Sequence, residues 1–295
     1  MSTVVDTSAD IHSPADGILS VECELTGRCQ QRCRHCCTDS GPKASPGTMT
    51  REDWVKVIHS VEELGIPGIQ FIGGEPTLYP RLIELITYAR SRGLAVEVYS
   101  NLVHIRPTLW ETLSRDGVRL ATSYYSDAEA EHDQITGGRG THARIRANIA
   151  EALERGIPLR VGIVRVLDGQ RVEQAEAELR TLGVTRIQVD GERKVGRAAE
   201  RASVIPSVDQ LCGHCFHHRV AISPDGEVYG CILSRFLPTG NVKEQPLEAI
   251  LSGPRWADAR GAVPIAVGGG CTPDDSDDCD PANTTACDPA YGFWA

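Results

Sequence analysis

The sequence lacks the features that carry a protein into or across a membrane. No apolar run approaches the roughly 18 residues that a transmembrane helix needs. The first residues, MSTVVDTSADIHSP, contain no basic segment followed by an apolar stretch, so no secretory signal is visible. We therefore expect no membrane partner and a cytoplasmic location.

The sequence also lacks a basic stripe with interleaved aromatic residues, which argues against a nucleic-acid partner. The formal net charge is −10, but it is unevenly spread. Residues 261–295 hold six Asp and no Lys or Arg, and the remainder carries 34 acidic and 30 basic residues. Most of the net negative charge is therefore a property of the C-terminal tail.

Cysteine, by contrast, is abundant, since the chain has 11. An odd number cannot pair completely, and thiols in a reducing compartment favour metal or redox chemistry over disulfides. A chain of 295 residues with 41% hydrophobic content also buries a sizeable core without covalent crosslinks. These observations exclude a small disulfide-stabilised protein.

Apolar runs rich in β-branched residues alternate with segments of helical period, which predicts an α/β fold of repeated βα units around a parallel sheet. The predicted strands lie near 19–25, 68–72, 94–99, 118–123, 159–166 and 186–190. The predicted helices lie near 50–64, 80–92, 107–115, 141–155 and 171–182. The alternation spans residues 19–200, after an N-terminal extension of residues 1–18. A smaller, Pro-, Gly- and Cys-rich second domain is predicted over residues 201–295.

Three cysteines, Cys29, Cys33 and Cys36, follow the first strand with the spacing C-x3-C-x2-C. They are expected at the carboxyl end of that strand, where parallel α/β sheets place their active sites. Three thiolates leave the fourth iron of a [4Fe–4S] cube free to bind a substrate or cofactor. Structural zinc is disfavoured, because it usually takes four ligands and His35, between the cysteines, is expected to face solvent.

The same spacing resembles the signature of the radical S-adenosylmethionine (radical SAM) enzymes. The segment GGEPTL at 73–78, directly after the second predicted strand, is similar to the GGEP motif of that family. The resemblance implies a partial (β/α)6 TIM-like barrel, a SAM-binding [4Fe–4S] cluster and S-adenosyl-L-methionine. It also implies that the GGEP motif contacts the amino group of the methionine moiety, through Gly73, Gly74, Glu75 and Pro76. Glycine allows close approach to a ligand, and the glutamate offers an acceptor for an ammonium.

Weaker resemblances indicate further cofactor contacts. Asn101, in YSN after the third strand, and Ser123 are candidate contacts to the cofactor ribose or carboxylate, with helix capping or a turn as the open alternative. Arg197, in KVGRA, lies in a segment that resembles the family motif near adenine, but it could equally be a solvated surface charge. The stretch beginning HDQITGG at 132 matches the family's usual segment before the fifth strand.

The second domain opens with CGHCFHHRVAISPDGEVYGC over 212–231, which predicts a β-hairpin around a Pro-Asp-Gly turn. Its cysteine spacing resembles the auxiliary-cluster domain called SPASM or, when abbreviated, twitch. The resemblance implies at least one auxiliary [4Fe–4S] cluster, which we assign to Cys212, Cys215, Cys231 and Cys271. A second cluster using Cys279 and Cys287 stays open, as does an acidic tail with free or paired thiols.

Thiols beyond the cluster ligands are candidate catalytic groups. Cys37 directly follows the third ligand and is either a buried small hydrophobe or a functional thiol. An exposed tail thiol, Cys279 or Cys287, could donate a hydrogen atom to a substrate radical if it lay near the barrel mouth. Cys23, within the first strand, is expected to pack in or below the barrel.

The resemblance implies reductive cleavage of SAM to a 5′-deoxyadenosyl radical, with an external reductant such as ferredoxin or flavodoxin. The favoured substrate is a ribosomally synthesised precursor peptide, modified by cross-linking, thioether formation or epimerisation. The alternative is a small polar metabolite such as an aminocyclitol. Residues 1–18 are too few for a leader-peptide recognition module, so a separate recognition protein or the barrel surface is expected to take that role. A non-catalytic iron–sulfur electron carrier is a distant alternative, because it has no use for a GGEP loop.

Overall fold

The structure is a computed structural model that describes residue 15 and residues 17–263. Its strands are β1 (Ser20–Glu24), β2 (Gly68–Ile72), β3 (Ala95–Tyr99), β4 (Val118–Ser123), β5 (Leu159–Arg165), β6 (Arg186–Gly191), β7 (Arg219–Ile222), β8 (Glu227–Tyr229) and β9 (Gly240–Asn241). Its α-helices are α1 (Arg51–Glu63), α2 (Leu82–Ser91), α3 (Pro107–Leu113), α4 (Glu129–Thr136), α5 (His142–Glu154), α6 (Val172–Leu182), α7 (Gly196–Ala202), α8 (Leu247–Leu251) and α9 (Pro254–Ala262). Short 3-10 helices occupy Pro76–Leu78 and Val208–Gln210.

Strands β1 to β6 form the parallel part of one sheet, in the order β6-β5-β4-β3-β2-β1. Helices connect each of these strands to the next. The predicted α/β fold of a partial six-stranded barrel is therefore confirmed, and each predicted strand overlaps an observed one. Because the six strands run the same way, their carboxyl ends meet at one edge of the sheet.

The predicted hairpin is present, and it extends the same sheet. Strands β7 and β8 pair antiparallel, with Ile222 opposite Val228, and β9 adds to β8. Strand β7 also pairs parallel with β1, from Arg219 opposite Ser20 to Ile222 opposite Cys23. Strand β1 therefore lies between β2 and the hairpin, and the loop that follows β1 is flanked on both sides.

Helix α1 shows how the sequence sets the elements. Thr50 and Asp53 form a reciprocal capping box, in which the Asp53 N–H donates to the Thr50 hydroxyl at 3.2 Å and the Thr50 N–H donates to the Asp53 carboxylate at 3.0 Å. Its buried residues recur at helical spacing and are Trp54, Val57, Ile58 and Val61. Gly65, with φ of 69°, follows the end of the helix.

Helices α4, α7, α8 and α9 are additional to the predicted ones. Helix α4 lies between β4 and α5, and α7 follows β6, so both extend the helical layer near the carboxyl edge of the sheet. Over the described ranges, none of the helices combines the length and the apolar character needed to cross a membrane.

Candidate active site

Residues 25–50, here called the cysteine loop, follow β1 at the carboxyl edge of the sheet, where the sequence predicted them. Cys29, Cys33 and Cys36 are free thiols, and all three line one cavity of about 260 Å³. Cys29 is buried, whereas Cys33 and Cys36 are partly buried. The loop therefore presents three sulfur atoms to a single volume, as a cluster with three protein ligands requires.

The two glycines of the GGEP loop pack against the start of the cysteine loop. A Cβ atom on Gly74 would lie 2.4 Å from the Arg28 carbonyl oxygen, and one on Gly73 would lie 2.7 Å from that of Thr26. The Gly74 N–H also donates to the Thr26 carbonyl at 2.7 Å. The sequence suggested that these glycines let the backbone approach a ligand. In the structure they line the cavity and also let two loops approach each other.

The Glu75 side chain joins the GGEP loop to the end of β3. Its carboxylate accepts hydrogen bonds from the Ser100 hydroxyl (2.8 Å), the Asn101 N–H (2.8 Å) and the Thr77 N–H (3.0 Å). Glu75 is 0% exposed, and burial raises the pKa of its carboxyl group. The residues that line the cavity do not include Glu75 or Pro76. Their contacts with a methionine amino group stay predictions, whereas the link between the two loops is observed.

Glu75→Gln is expected to lower the free energy of unfolding by about 1–3 kcal/mol, because the new amide NH2 faces a buried donor and leaves it unsatisfied. The measurement is unfolding in guanidinium chloride. Glu63→Gln is the matched control, since Glu63 is exposed and its side chain makes no hydrogen bond or close ion pair in the described part of the chain. Its effect should stay within about 0.5 kcal/mol. Equal effects of the two substitutions would contradict the role of Glu75.

Asn101 and Ser123 both line the cavity. The Asn101 amide donates to the Cys29 sulfur at 3.5 Å, and its oxygen accepts from the Gln30 amide at 3.0 Å. The Ser123 hydroxyl lies 2.9 Å from the Tyr99 hydroxyl. A hydrogen bond to sulfur is one of the features that tune an iron–sulfur cluster. Asn101 therefore supports the cysteine loop, and the cofactor contacts of Asn101 and Ser123 stay predictions.

Arg197 holds the cysteine loop from outside the cavity. Its guanidinium donates to the Cys33 carbonyl and, at 2.7 Å, to the Ser40 carbonyl. Its backbone N–H donates to the Cys36 carbonyl at 3.0 Å, and Asp39 pairs with the guanidinium at 2.7 Å. The side chain is 12% exposed, so the alternative of a solvated surface charge is wrong. The residues lining the cavity do not include Arg197, and its place near adenine stays a prediction.

Two histidines also line the cavity. The His35 Nε2 atom lies 3.1 Å from the Tyr125 hydroxyl, and burial lowers the pKa of His35 to about 4. The expectation that His35 faces solvent is therefore wrong. His132, on α4, is 0% exposed, and neither of its ring nitrogens has a hydrogen-bond partner among the described residues. His132 was not predicted as a site residue, although it begins the HDQITGG stretch.

Cys37 is a fourth thiol of the same cavity. Burial raises the pKa of its thiol, and the nearby Cys36 and Glu24 raise it further. Cys37 is therefore protonated at neutral pH, and its catalytic role stays a prediction. Cys23 is fully buried in β1 and belongs to the hydrophobic core, as expected.

The auxiliary cysteines flank the hairpin. Cys215 and Cys231 form a disulfide with Cα atoms 5.1 Å apart, and Cys212 is buried. The hairpin thus brings together sulfur atoms that are distant in sequence. A disulfide sulfur is not a thiolate, so cluster binding by this pair requires its reduced form. The remaining predicted tail thiols lie outside the described residues, and they are Cys271, Cys279 and Cys287.

A second cavity, of about 150 Å³, shares part of its wall with the first. Cys212 and Cys231 line it, together with the charged side chains of Glu22, Arg160 and Arg219. The Arg219 guanidinium lies 3.4 Å from the Glu22 carboxylate, and burial raises the pKa of Glu22. Charged side chains therefore form part of the wall between the cysteine loop and the auxiliary cysteines.

The three thiols of the cysteine loop fit iron–sulfur ligation. Cys29, Cys33 and Cys36 share a cavity, and an amide donor is directed at one of their sulfur atoms. No three His, Cys, Asp or Glu side chains converge on the position of a single metal ion in residues 17–263. The thiolates of a cluster do not need to converge on one position, because each of them binds a different iron atom.

Comparison with known proteins identifies the family. Residues 23–182, more than half of the chain, match the model described as the radical SAM superfamily. The chain belongs to the radical SAM superfamily. Residues 212–280 match the SPASM model, described as an iron-sulfur cluster-binding domain. The cofactors of these two domains are S-adenosyl-L-methionine, the [4Fe–4S] cluster that binds it, and auxiliary iron–sulfur clusters.

Curated relatives match part of their length. The PqqA peptide cyclase of Gluconobacter oxydans is 29% identical over 196 residues, which cover 65% of this radical SAM chain and 55% of the relative. The mycofactocin maturase MftC of Mycobacterium tuberculosis is 28% identical over 244 residues, which cover 73% and 59%. The chain thus spans about half the length of the curated relatives it matches.

Solved structures share the fold at low sequence identity. SuiB of Streptococcus suis bound to S-adenosylmethionine superposes with a TM-score of 0.68 at 15% identity, covering 82% of this chain and 68% of SuiB. SuiB bound to the precursor peptide SuiA gives the same TM-score, covering 82% and 66%. The enzyme anSMEcpe with bound AdoMet gives 0.64 at 15% identity, covering 82% of each chain. These likenesses confirm the radical SAM fold of the chain.

Proposed function

We propose that this chain is an enzyme that cleaves SAM reductively and abstracts a hydrogen atom from a ribosomally synthesised precursor peptide. The observation that carries the proposal is that the three thiols of the cysteine loop share one cavity with Gly73 and Gly74. A structural cluster site would need no such cavity, whereas a cofactor that binds an open iron does.

The residues of the chain would position the cofactors. Cys29, Cys33 and Cys36 would hold the cluster, and the cluster and SAM together would supply the 5′-deoxyadenosyl radical. Arg197 and Asn101 keep the cysteine loop in place through the carbonyl and sulfur contacts described above. The cavity wall is largely apolar, which excludes water from a reactive radical.

The hairpin cysteines would hold the auxiliary cluster. Cys212 and the reduced pair Cys215 and Cys231 supply three thiolates, and Cys271 is the proposed fourth ligand. The second cavity connects this region to the cysteine loop through shared wall residues. An auxiliary cluster there would lie beside the volume in which the substrate is modified.

A peptide substrate is favoured by the names of the relatives. Two of them are a peptide cyclase and a maturase, and one structural neighbour is described in complex with its precursor peptide. A cross-link, a thioether and an epimerised residue all begin with hydrogen abstraction from an unactivated carbon. These three products are the proposed modifications.

A small polar metabolite is the second candidate, and the second cavity favours it. Its charged lining of Glu22, Arg160 and Arg219 suits hydroxyl, amino or carboxylate groups. The same cavity could also accept a polar side chain of a peptide. The two candidates are therefore distinguished by which substrate, a peptide or a small metabolite, the enzyme converts.

The peptide proposal is tested by co-expressing the enzyme with each short open reading frame beside its gene. We expect one encoded peptide to lose the mass of two hydrogen atoms, or to take up one deuterium from deuterated solvent. Loss of two hydrogens indicates a cross-link or dehydrogenation, and deuterium uptake indicates epimerisation. Unmodified peptides together with turnover of an amino sugar or aminocyclitol would favour the second candidate.

A further inference from the structure

The cysteine loop is basic in a chain whose net charge is −10. Residues 25–50 contain four basic side chains and one acidic side chain. That acidic residue, Asp39, already pairs with Arg197 at 2.7 Å. The loop therefore carries a positive charge that its own acidic residue does not neutralise.

Two of these basic side chains flank a surface depression beside the loop. The depression has a volume of about 560 Å³, and its wall includes Arg32, Lys43, Asp39 and Arg197. Arg32 and Lys43 are exposed, and neither side chain has an acidic partner in the described part of the chain. Some exposed arginines are paired, such as Arg171 with Asp127 at 2.7 Å, and exposed arginines without partners among the described residues, such as Arg106 and Arg255, do not line the depression.

The depression adjoins the backbone of Cys33, a predicted cluster ligand. Arg32 precedes Cys33 in the chain, and Arg197 donates to the Cys33 carbonyl. The depression shares no lining residue with the cavity that holds the cysteine sulfurs. A substrate bound in the depression would therefore lie outside the cavity in which it has to react. An electron donor can act from there, because it only has to come close to the cysteine loop.

We propose that this depression docks an acidic one-electron carrier protein of the flavodoxin or ferredoxin class. The proposal rests on the proposed function. The carrier gives up one electron, and the cluster of Cys29, Cys33 and Cys36 takes it up. Arg32 and Lys43 attract the acidic face of the carrier, and such complementary charges mainly raise the rate of association and fix the orientation of the partner.

The test uses the full-length, iron-loaded enzyme and an acidic bacterial flavodoxin with its NADPH-dependent reductase. The double variant Arg32→Glu with Lys43→Glu is expected to weaken flavodoxin binding about tenfold at low salt. The KM for flavodoxin in 5′-deoxyadenosine formation should rise by about the same factor. Both differences should shrink as salt is added, because counterions screen exposed charges. Cleavage driven by dithionite should match the parent enzyme.

The matched control is Arg106→Glu with Arg255→Glu, which makes the same charge change at two exposed side chains without partners in the described part of the chain. The proposal is overturned if both double variants bind flavodoxin equally. It is also overturned if the Arg32 and Lys43 variant binds as tightly as the parent or more tightly. Tighter binding would indicate that acidic residues of this chain cover the depression in the parent and are repelled by the two new glutamates. If dithionite drives no cleavage in the parent, the proposed function fails, while the direct binding comparison still decides the docking site.

Discussion

Replacing Cys29, Cys33 and Cys36 together by Ala is expected to abolish formation of 5′-deoxyadenosine from SAM. All three thiols line one cavity, and no other free thiol except Cys37 lines it in the described part of the chain. Without three thiolates the open-iron cluster has too few ligands. The measurement is 5′-deoxyadenosine formed under anaerobic reduction.

Iron analysis separates this loss from general unfolding. The parent is expected to hold about 8 iron atoms with one auxiliary cluster or about 12 with two, and the triple variant about 4 fewer. Cys23→Ala is the matched control, because Cys23 is fully buried in β1 and is not among the residues that line the cavity. It should keep its full iron content. Cleavage by the triple variant, or iron content equal to the parent, would contradict the assignment.

Gly74→Ala is expected to slow SAM cleavage roughly 100-fold, because misplacement of a site by about 1 Å costs a factor of that size. Its new Cβ atom would lie 2.4 Å from the Arg28 carbonyl oxygen and 2.7 Å from the Arg28 carbonyl carbon. Both are backbone atoms, so the clash is relieved only by movement of the cysteine loop away from the GGEP loop.

The matched control for this substitution is Gly261→Ala. Gly261 lies in α9, and an added Cβ atom there meets nothing within 4 Å. Alanine favours the helical conformation more than glycine does, so stability should hold or rise. A Gly74→Ala enzyme that cleaves SAM at the parental rate would show that the close contact of the two loops is dispensable.

The parallel sheet and the cysteine loop could be predicted from the sequence because their signals are local. The strand near 68–72 was predicted from its β-branched and aromatic residues Ile69, Phe71 and Ile72, and it is observed at Gly68–Ile72. The spacing of Cys29, Cys33 and Cys36 is itself the signal of the site. Such patterns depend on neighbouring residues and need no knowledge of the tertiary structure.

The remaining features depend on contacts between distant segments. The close approach of Gly74 to Arg28 and the pairing of β7 with β1 cannot be seen in either segment alone. Helix α4 was not predicted, since its sequence EAEHDQIT is short and has few apolar positions. His132 lies on α4, so its place in the cavity wall could not be inferred. Arg197 acts through backbone carbonyls of a loop over 150 residues away in sequence.

The most direct test of the account is anaerobic incubation of the reduced, iron-loaded enzyme with SAM. We expect 5′-deoxyadenosine and methionine to form in equal amounts, since one carbon–sulfur bond of SAM is broken in each event. In deuterium-labelled peptide substrate, the label should appear in 5′-deoxyadenosine. Fully iron-loaded, reduced protein that binds SAM and forms no 5′-deoxyadenosine would contradict the account.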